Sequence, residues 1–222
     1  MHIHCFTFGP FETNCYVVSD EQHILLIDPA CSNEYERQQL LDYITPLFSL
    51  PSRGVGGVYG DGGGLGLSLI ATHGHLDHLW GARWATEQWH TPVLMHEADI
   101  AMAQAMQQQY DLFGIHAIAE SFPISPLSQS FSPPIGGDGG GLGLSLIATP
   151  GHTPGSVCLY FPEDKILFSG DTLFRMGYGR TDLPGGNYSQ LIRSLQRLFE
   201  LPSDVRVYPG HGEPTTIGAE QW

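Results

Sequence analysis

Apolar residues recur along this chain in short runs of two-residue period, broken by Gly, Pro, Asp and Asn and interleaved with longer stretches of helical spacing. His2–Phe8, Cys15–Ser19 and His23–Ile27 read as consecutive strands, and Asp28-Pro29 ends the third. Glu34–Phe48 reads as a helix, weakened by Thr45-Pro46. Leu67–Ala71 is a predicted strand, Leu79–Trp89 a helix, Pro92–Met95 a short strand and Glu97–Phe113 a helix. Leu144–Ala148 is a further strand, and Ser156–Tyr160 and Lys165–Phe168 form a hairpin across Pro162–Asp164. Tyr188–Phe199 is an amphipathic helix with Leu191, Ile192, Leu195, Leu198 and Phe199 on one face, and Val205–Tyr208 is a last strand. Periodicity thus gives strands alternating with helices twice over, a mixed α and β chain.

At 222 residues the chain is long enough for a large core and is read as one domain, 1–222. Its formal net charge of −14, with Lys165 as its one lysine, argues against nucleic acid or an anionic membrane as partner, since both need a basic surface. The cysteines Cys5, Cys15, Cys31 and Cys158 show no Cys-x-x-Cys spacing and are expected as buried, reduced thiols. No charged-then-apolar leader opens the chain, and no apolar run approaches ~18 residues, so a cytoplasmic protein is expected.

The chemistry lies in four polar blocks, each following an apolar run of β character. They are Thr72-His73-Gly74-His75-Leu76-Asp77-His78, Thr149-Pro150-Gly151-His152-Thr153-Pro154-Gly155, Ser169-Gly170-Asp171-Thr172 and Pro209-Gly210-His211-Gly212. A rigid sheet holds groups on such loops still. Residues i and i+2 of an extended segment point the same way, so His73 and His75 can share one cation. Asp77 and His78 come where the chain turns into a helix, which redirects them toward a second cation. Neutral imidazole and carboxylate suit zinc, with iron and manganese as weaker alternatives. No Gly-x-Ser-x-Gly elbow is present.

Taken in order, His-x-His-x-Asp-His, Pro-Gly-His-Thr-Pro-Gly, Gly-Asp-Thr and Pro-Gly-His-Gly resemble the metal signature of the metallo-β-lactamase superfamily. The likeness runs from Phe8-Gly9-Pro10 and Thr13-Asn14-Cys15-Tyr16 to Pro214-Thr215-Thr216. Gly179-Arg180-Thr181-Asp182-Leu183-Pro184-Gly185-Gly186 points to the small hydrolases related to glyoxalase II, the hydroxyacylglutathione hydrolases. The resemblance implies an α+β fold, the αββα sandwich of two mixed sheets between outer helices. It implies two divalent cations, zinc first: one held by His73, His75 and His152, the other by Asp77, His78 and His211, with Asp171 bridging. A hydroxide between the cations, aimed by Asp77, would attack a small-molecule acyl thioester or ester, with Arg180 contacting the substrate's carboxylate. Glyoxalase II proper has a further helical domain after the last histidine, where only Gly212–Trp222 follow here. A lactonase or other carboxylic ester hydrolase, and a mononuclear-iron persulfide dioxygenase, therefore stay open beside the thioesterase.

One feature fits none of this. Gly60–Thr72 and Gly137–Thr149 are the same thirteen residues, Gly-Asp-Gly-Gly-Gly-Leu-Gly-Leu-Ser-Leu-Ile-Ala-Thr, each running into a histidine block. The glycine-rich stretch Arg53–Gly64 before the first block is read as a surface loop. Of the other polar residues, His2 and His4 share a strand face and are assigned to surface or core. His96 is assigned to helix capping, and Met102 and Met106 to packing or a groove wall.

Overall fold

The computed structural model describes residues 1–21, 23–48, 66–127 and 143–221. The glycine-rich Arg53–Gly64 stretch and the glycine halves of the repeated segment, 60–65 and 137–142, lie outside the described residues. The first half runs β1 (His2–Phe8), β2 (Thr13–Ser19), β3 (His23–Ile27), α1 (Glu34–Phe48), β4 (Gly66–Ile70), α2 (Leu76–Leu79), α3 (Ala82–Trp89), β5 (Val93–Met95), α4 (Glu97–Gln104), α5 (Met106–Leu112) and β6 (Ile124–Pro126). Its sheet has the order β1-β2-β3-β4-β5-β6, antiparallel as far as β3 and parallel beyond. The second half runs β7 (Ser145–Ala148), β8 (Val157–Phe161), β9 (Ile166–Gly170), β10 (Leu173–Phe174), β11 (Gly177–Tyr178), α6 (Tyr188–Leu198), β12 (Arg206–Pro209), β13 (Thr215–Thr216) and α7 (Ile217–Glu220). Its main sheet has the order β13-β12-β9-β8-β7, with only the β9–β12 pair parallel.

Two-residue periodicity makes this a four-layer sandwich. Cys15, Val17, Ile24, Leu26 and Leu69 face outward and pack with Leu40 and Ile44 of α1 and with Ala82, Ala85 and Trp89 of α3. Their neighbours Tyr16, Val18, Leu25, Ile27 and Ile70 face inward and meet Val157, Leu159, Phe161 and Phe168 of the second sheet. Cys158, Leu167 and Val207, on the far side of that sheet, pack with Leu191, Leu195 and Leu198 of α6. The expected α+β sandwich of two mixed sheets between outer helices is thus present. No helix among the described residues is long and apolar enough to cross a membrane.

The polar blocks all leave the carboxyl ends of strands. β3 and β4 run parallel, and β7, β9 and β12 share one direction because two antiparallel steps separate β7 from β9. Two predicted helices differ from expectation. The helix expected from Leu79 starts earlier, as α2, so Asp77 and His78 are themselves helical, and Gly81 separates α2 from α3. The helix expected over Glu97–Phe113 breaks at Ala105. The break lets Gln109 of α5 reach the histidine loop: its Oε1 accepts from the Leu76 N–H (2.9 Å), and its Nε2 donates to the carbonyls of Gly74 (2.9 Å) and Met102 (3.1 Å). Tertiary hydrogen bonds override helical continuity here.

The four cysteines are unpaired, and Cys15, Cys31 and Cys158 are buried as expected. Cys5 is exposed, contrary to expectation, because β1 is an edge strand with one row of side chains left uncovered. His4 stacks on Tyr43 of α1 at 4.2 Å between ring centroids, a packing role.

Gly81 tests how tightly α2 and α3 are seated. A Cβ there would collide with Cys31 Sγ and lie 2.8 Å from the Cys31 carbonyl oxygen and 2.9 Å from that of Pro29. Gly81→Ala is therefore expected to destabilise the fold by ~1–3 kcal/mol through overpacking, read as a lower urea midpoint with unchanged slope.

Candidate metal centre

The fold brings the seven predicted ligands together as three overlapping groups: His73, His75 and His152; His73, His78 and Asp171; and Asp77, His78 and His211. Within each group the nitrogen and oxygen atoms lie within 4.8 Å of one another. In the first, His73 Nε2 is 3.1 Å from His75 Nδ1, which is 2.8 Å from His152 Nε2. In the third, Asp77 Oδ2 is 3.2 Å from His211 Nε2 and 3.4 Å from His78 Nε2. Asp171 stands between them: its Oδ2 is 3.4 Å from His152 Nε2 and 3.5 Å from His211 Nε2, and its Oδ1 is 3.3 Å from His78 Nε2.

These residues fit cations better than they fit one another. His78 Nε2 and Asp171 Oδ1 are buried without a hydrogen-bond partner, which is costly for polar atoms removed from water. Three imidazole nitrogens, all within 4.8 Å of one another and with His75 3.1 and 2.8 Å from its two neighbours, likewise make the donor set of a divalent cation. Gly210 is required at this spot: a Cβ there would run into Asp171 Oδ1 and lie 2.7 Å from His78 Cε1.

Around the seven lies a shell that fixes four of the imidazoles through the nitrogen pointing away from the centre. Asp28, at the end of β3, accepts from the Thr72 N–H (2.7 Å), the Thr72 hydroxyl (2.8 Å) and His78 Nδ1 (2.9 Å). His73 Nδ1 lies 3.1 Å from that same hydroxyl. His152 Nδ1 donates to the Arg180 carbonyl (2.7 Å) and His211 Nδ1 to the Phe11 carbonyl (3.0 Å). Thr13 donates to Asp77 Oδ2 (2.8 Å), and Asn14 and Tyr16 hold the His211 loop through the Pro209 carbonyl (3.1 and 2.6 Å). The wholly buried Asp99 ties two loops together, accepting from the Gly74 N–H (2.9 Å), the Thr153 hydroxyl (2.6 Å) and the Gly155 N–H (2.6 Å).

The sequence model of the Metallo-beta-lactamase superfamily matches residues 8–211. The chain belongs to this superfamily. It is 32% identical to the probable metallo-hydrolase YqgX of Bacillus subtilis, over 96% of this chain and 91% of that protein. It is 31% identical to the hydroxyacylglutathione hydrolase GloC of Haemophilus influenzae, over 100% of this chain and 95% of that one. The crystal structure of TTHA1623 in a di-iron-bound form superposes with a TM-score of 0.78 at 32% identity, covering 98% of this chain and 96% of that one. The protein is thus a metallo-hydrolase of the superfamily with histidine and aspartate groups suited to metal.

Arg180 lies beside the centre. Its guanidinium is exposed and holds Asp182 with two hydrogen bonds of 2.7 and 2.6 Å, while its backbone oxygen is what touches the centre, through His152. His96 caps α4, its Nδ1 accepting from the Ala98 N–H (3.2 Å), as the sequence suggested. Met106 is buried, and Met102 borders a groove beside His75. Asp28, Asp99, Gln109, Thr13 and Asn14 had no role in the sequence reading beyond turn, helix or strand positions. A carboxylate that closes a turn and one that braces a histidine look the same in a sequence.

Electrostatics divide the two ends of the centre. Burial and the facing His152 hold His75 down to about 3, and burial with the neighbouring imidazoles keeps His73 well below its ordinary range. At the other end burial opposes charging, but nearby carboxylates outweigh it. Asp77, Asp171 and Asp28 raise His78 well above its usual value, and hydrogen bonds to Asp171 and Asp77 raise His211 to about 10. Asp77 is held down to about 2, because His78 and His211 overcome its burial. At pH 7.5 His73 and His75 are therefore neutral, while His78 and His211 carry protons that a cation must displace.

Zinc added to chelator-stripped protein at pH 7.5 is therefore expected to displace no proton from His73 or His75. Filling of the Asp77–His78–His211 group should release about two protons, followed by pH-stat titration. Equal release for both equivalents would contradict this division.

Proposed function

We propose that the chain is a thioesterase of the hydroxyacylglutathione hydrolase type, working at a centre of two divalent cations, zinc in the first instance with iron or manganese as alternatives. The observation that carries this reading is the convergence of seven side chains into three overlapping ligand groups, the middle one joining Asp171 to His73 and His78. The likeness to GloC along nearly the full length of both chains supports the thioester as substrate. The di-iron-bound relative keeps iron among the metals to be tested.

His73, His75 and His152 would hold one cation, and Asp77, His78 and His211 the other, with Asp171 shared. Bound there, divalent cations supply Lewis acidity and lower the pKa of water to ~7. The chain's own contribution is orientation. Asp77 is fixed by Thr13 and flanked by His78 and His211, and its carboxylate is placed to accept a hydrogen bond from the attacking water. Water adds to the acyl carbon, the carbon–sulfur bond breaks, and the thiol leaves with one of the water's protons. Asp28 and Asp99 keep the loops from relaxing, so little reorganisation is left to the reaction itself. Arg180 would meet a carboxylate of the thiol carrier by exchanging it for Asp182, an exposed partner that is easily given up. Unpaired cysteines accord with a reducing compartment such as the cytoplasm.

Two expectations test the reading. Purified protein should carry about two metal ions per chain, and Asp171→Ala should loosen both, whereas His96→Ala leaves metal content unchanged. One tight ion, with turnover of glutathione persulfide and none of thioesters, would replace this reading with the dioxygenase. Arg180→Ala should raise KM for S-lactoylglutathione about threefold, less than for an uncommitted cation because Asp182 competes for the same guanidinium edge. Its kcat and its rate on uncharged thioesters should stay as in the wild type. Equal losses on both substrates would make Arg180 structural, acting through its bond to His152.

A further inference from the structure

A groove of about 280 Å³ opens beside His75, lined by Met102 and Ala105 at the α4–α5 junction, Leu112 and Phe113 at the end of α5, and Leu183 and Pro184 of the loop before α6. Its walls are almost wholly apolar, and none of its described lining residues is charged. The two sides meet at Gly185, where a Cβ would lie 3.2 Å from Met102 Cε and 2.9 Å from Pro154 Cδ. The Phe113 wall continues around the centre: its ring packs edge-on against Phe11 at 5.5 Å, and the Phe11 carbonyl holds His211. The groove is therefore continuous with the ligand cluster at His75. Leu112 is 59% exposed and Phe113, despite its contact with Phe11, 38% exposed.

We propose that this groove receives the acyl chain of the substrate, and that the enzyme prefers thioesters of unbranched, uncharged acyl groups longer than acetyl. The inference rests on the thioesterase reading and adds which end of the substrate the groove selects. Charge decides the occupant. A glutathione-like carrier is polar and charged and gains nothing from uncharged apolar walls in a chain of net charge −14, whereas an alkyl group gains from every methylene buried. Size agrees: the volume lies just below the ~300–1,000 Å³ usual for pockets that enclose whole small ligands, which suits one substituent rather than a complete substrate. Position agrees as well, since a chain lying along Met102 and Leu112 starts at His75, where the acyl carbon must come to react.

The test is kcat/KM across acetyl, butyryl and hexanoyl thioesters of one common thiol, with zinc-loaded wild type and with Leu112→Glu, a substitution at an exposed position. In the wild type kcat/KM should climb about threefold per methylene, and in Leu112→Glu the hexanoyl-to-acetyl ratio should fall at least about tenfold. Tyr35→Ser, at a residue 74% exposed on α1, serves as the control and should match the wild type on all substrates. Binding of the neutral fluorophore N-phenyl-1-naphthylamine is measured alongside and should be weakened by Leu112→Glu alone. Hydrolysis without chain-length dependence, or an unchanged ratio in Leu112→Glu, overturns the assignment of the groove to the acyl chain. If no thioester is hydrolysed, the thioesterase reading fails and the acyl assignment falls with it. Fluorophore binding lost in Leu112→Glu would then still mark the groove as an apolar ligand site, and binding unaffected by the substitution would remove that too.

Discussion

The arrangement of the centre hangs on one buried carboxylate, Asp28. It sits at the end of β3 with φ +53°, and its N–H donates to the Ile70 carbonyl of β4 (2.8 Å), so it belongs to the sheet as well as to the site. From there it holds His78 directly and His73 through the Thr72 hydroxyl, two histidines that share one ligand group with Asp171 and each belong to one further group. One aspartate thus sets the orientation of a side chain on each side of Asp171. A carboxylate so deeply placed is tolerable only because its hydrogen bonds are charge-assisted and several.

Much of this was legible beforehand. The short apolar runs marked β2, β3 and β4 as strands, and the seven side chains that now converge were marked by their place after apolar strands. What could not be read were partnerships across long stretches of chain. Asp28 and Thr72 are 44 residues apart, and Asp99 and Gly155 are 56 apart. Nothing local separates such an aspartate from one that ends a strand or opens a helix. The break at Ala105 was hidden for a related reason: its neighbours favour helix, and only the demand of Gly74 and Leu76 for a partner turns Gln109 inward. Arg180 shows a contact of another kind: beside the salt bridge of its side chain to Asp182, its backbone oxygen positions His152, and a backbone partner leaves no mark in residue identity.

The centre is also asymmetric. Its neutral end, at the buried His75, borders apolar walls, while its charged end, at the partly exposed His211, lies beside the strand carrying Thr13, Asn14 and Tyr16. Neutral and charged imidazoles some few ångströms apart follow from where the carboxylates stand: Asp77, Asp171 and Asp28 together outweigh burial at His78, whereas at His75 burial and the facing His152 outweigh Asp77 and Asp171.

The described parts of the repeated segment place identical residues in opposite settings. Gly66–Thr72 feeds an interior strand with parallel partners on both sides, and Gly143–Thr149 an edge strand with one antiparallel partner. In the first copy Leu69 looks toward the helices and Ile70 toward the other sheet; in the second Leu146 looks toward the other sheet and Ile147 toward the helices. A stretch that is equally greasy on both sides carries no instruction about which way up it lies. That instruction comes from its flanks, so these seven residues behave as a neutral spacer, and the identity of each strand is written in the histidine loop that follows it.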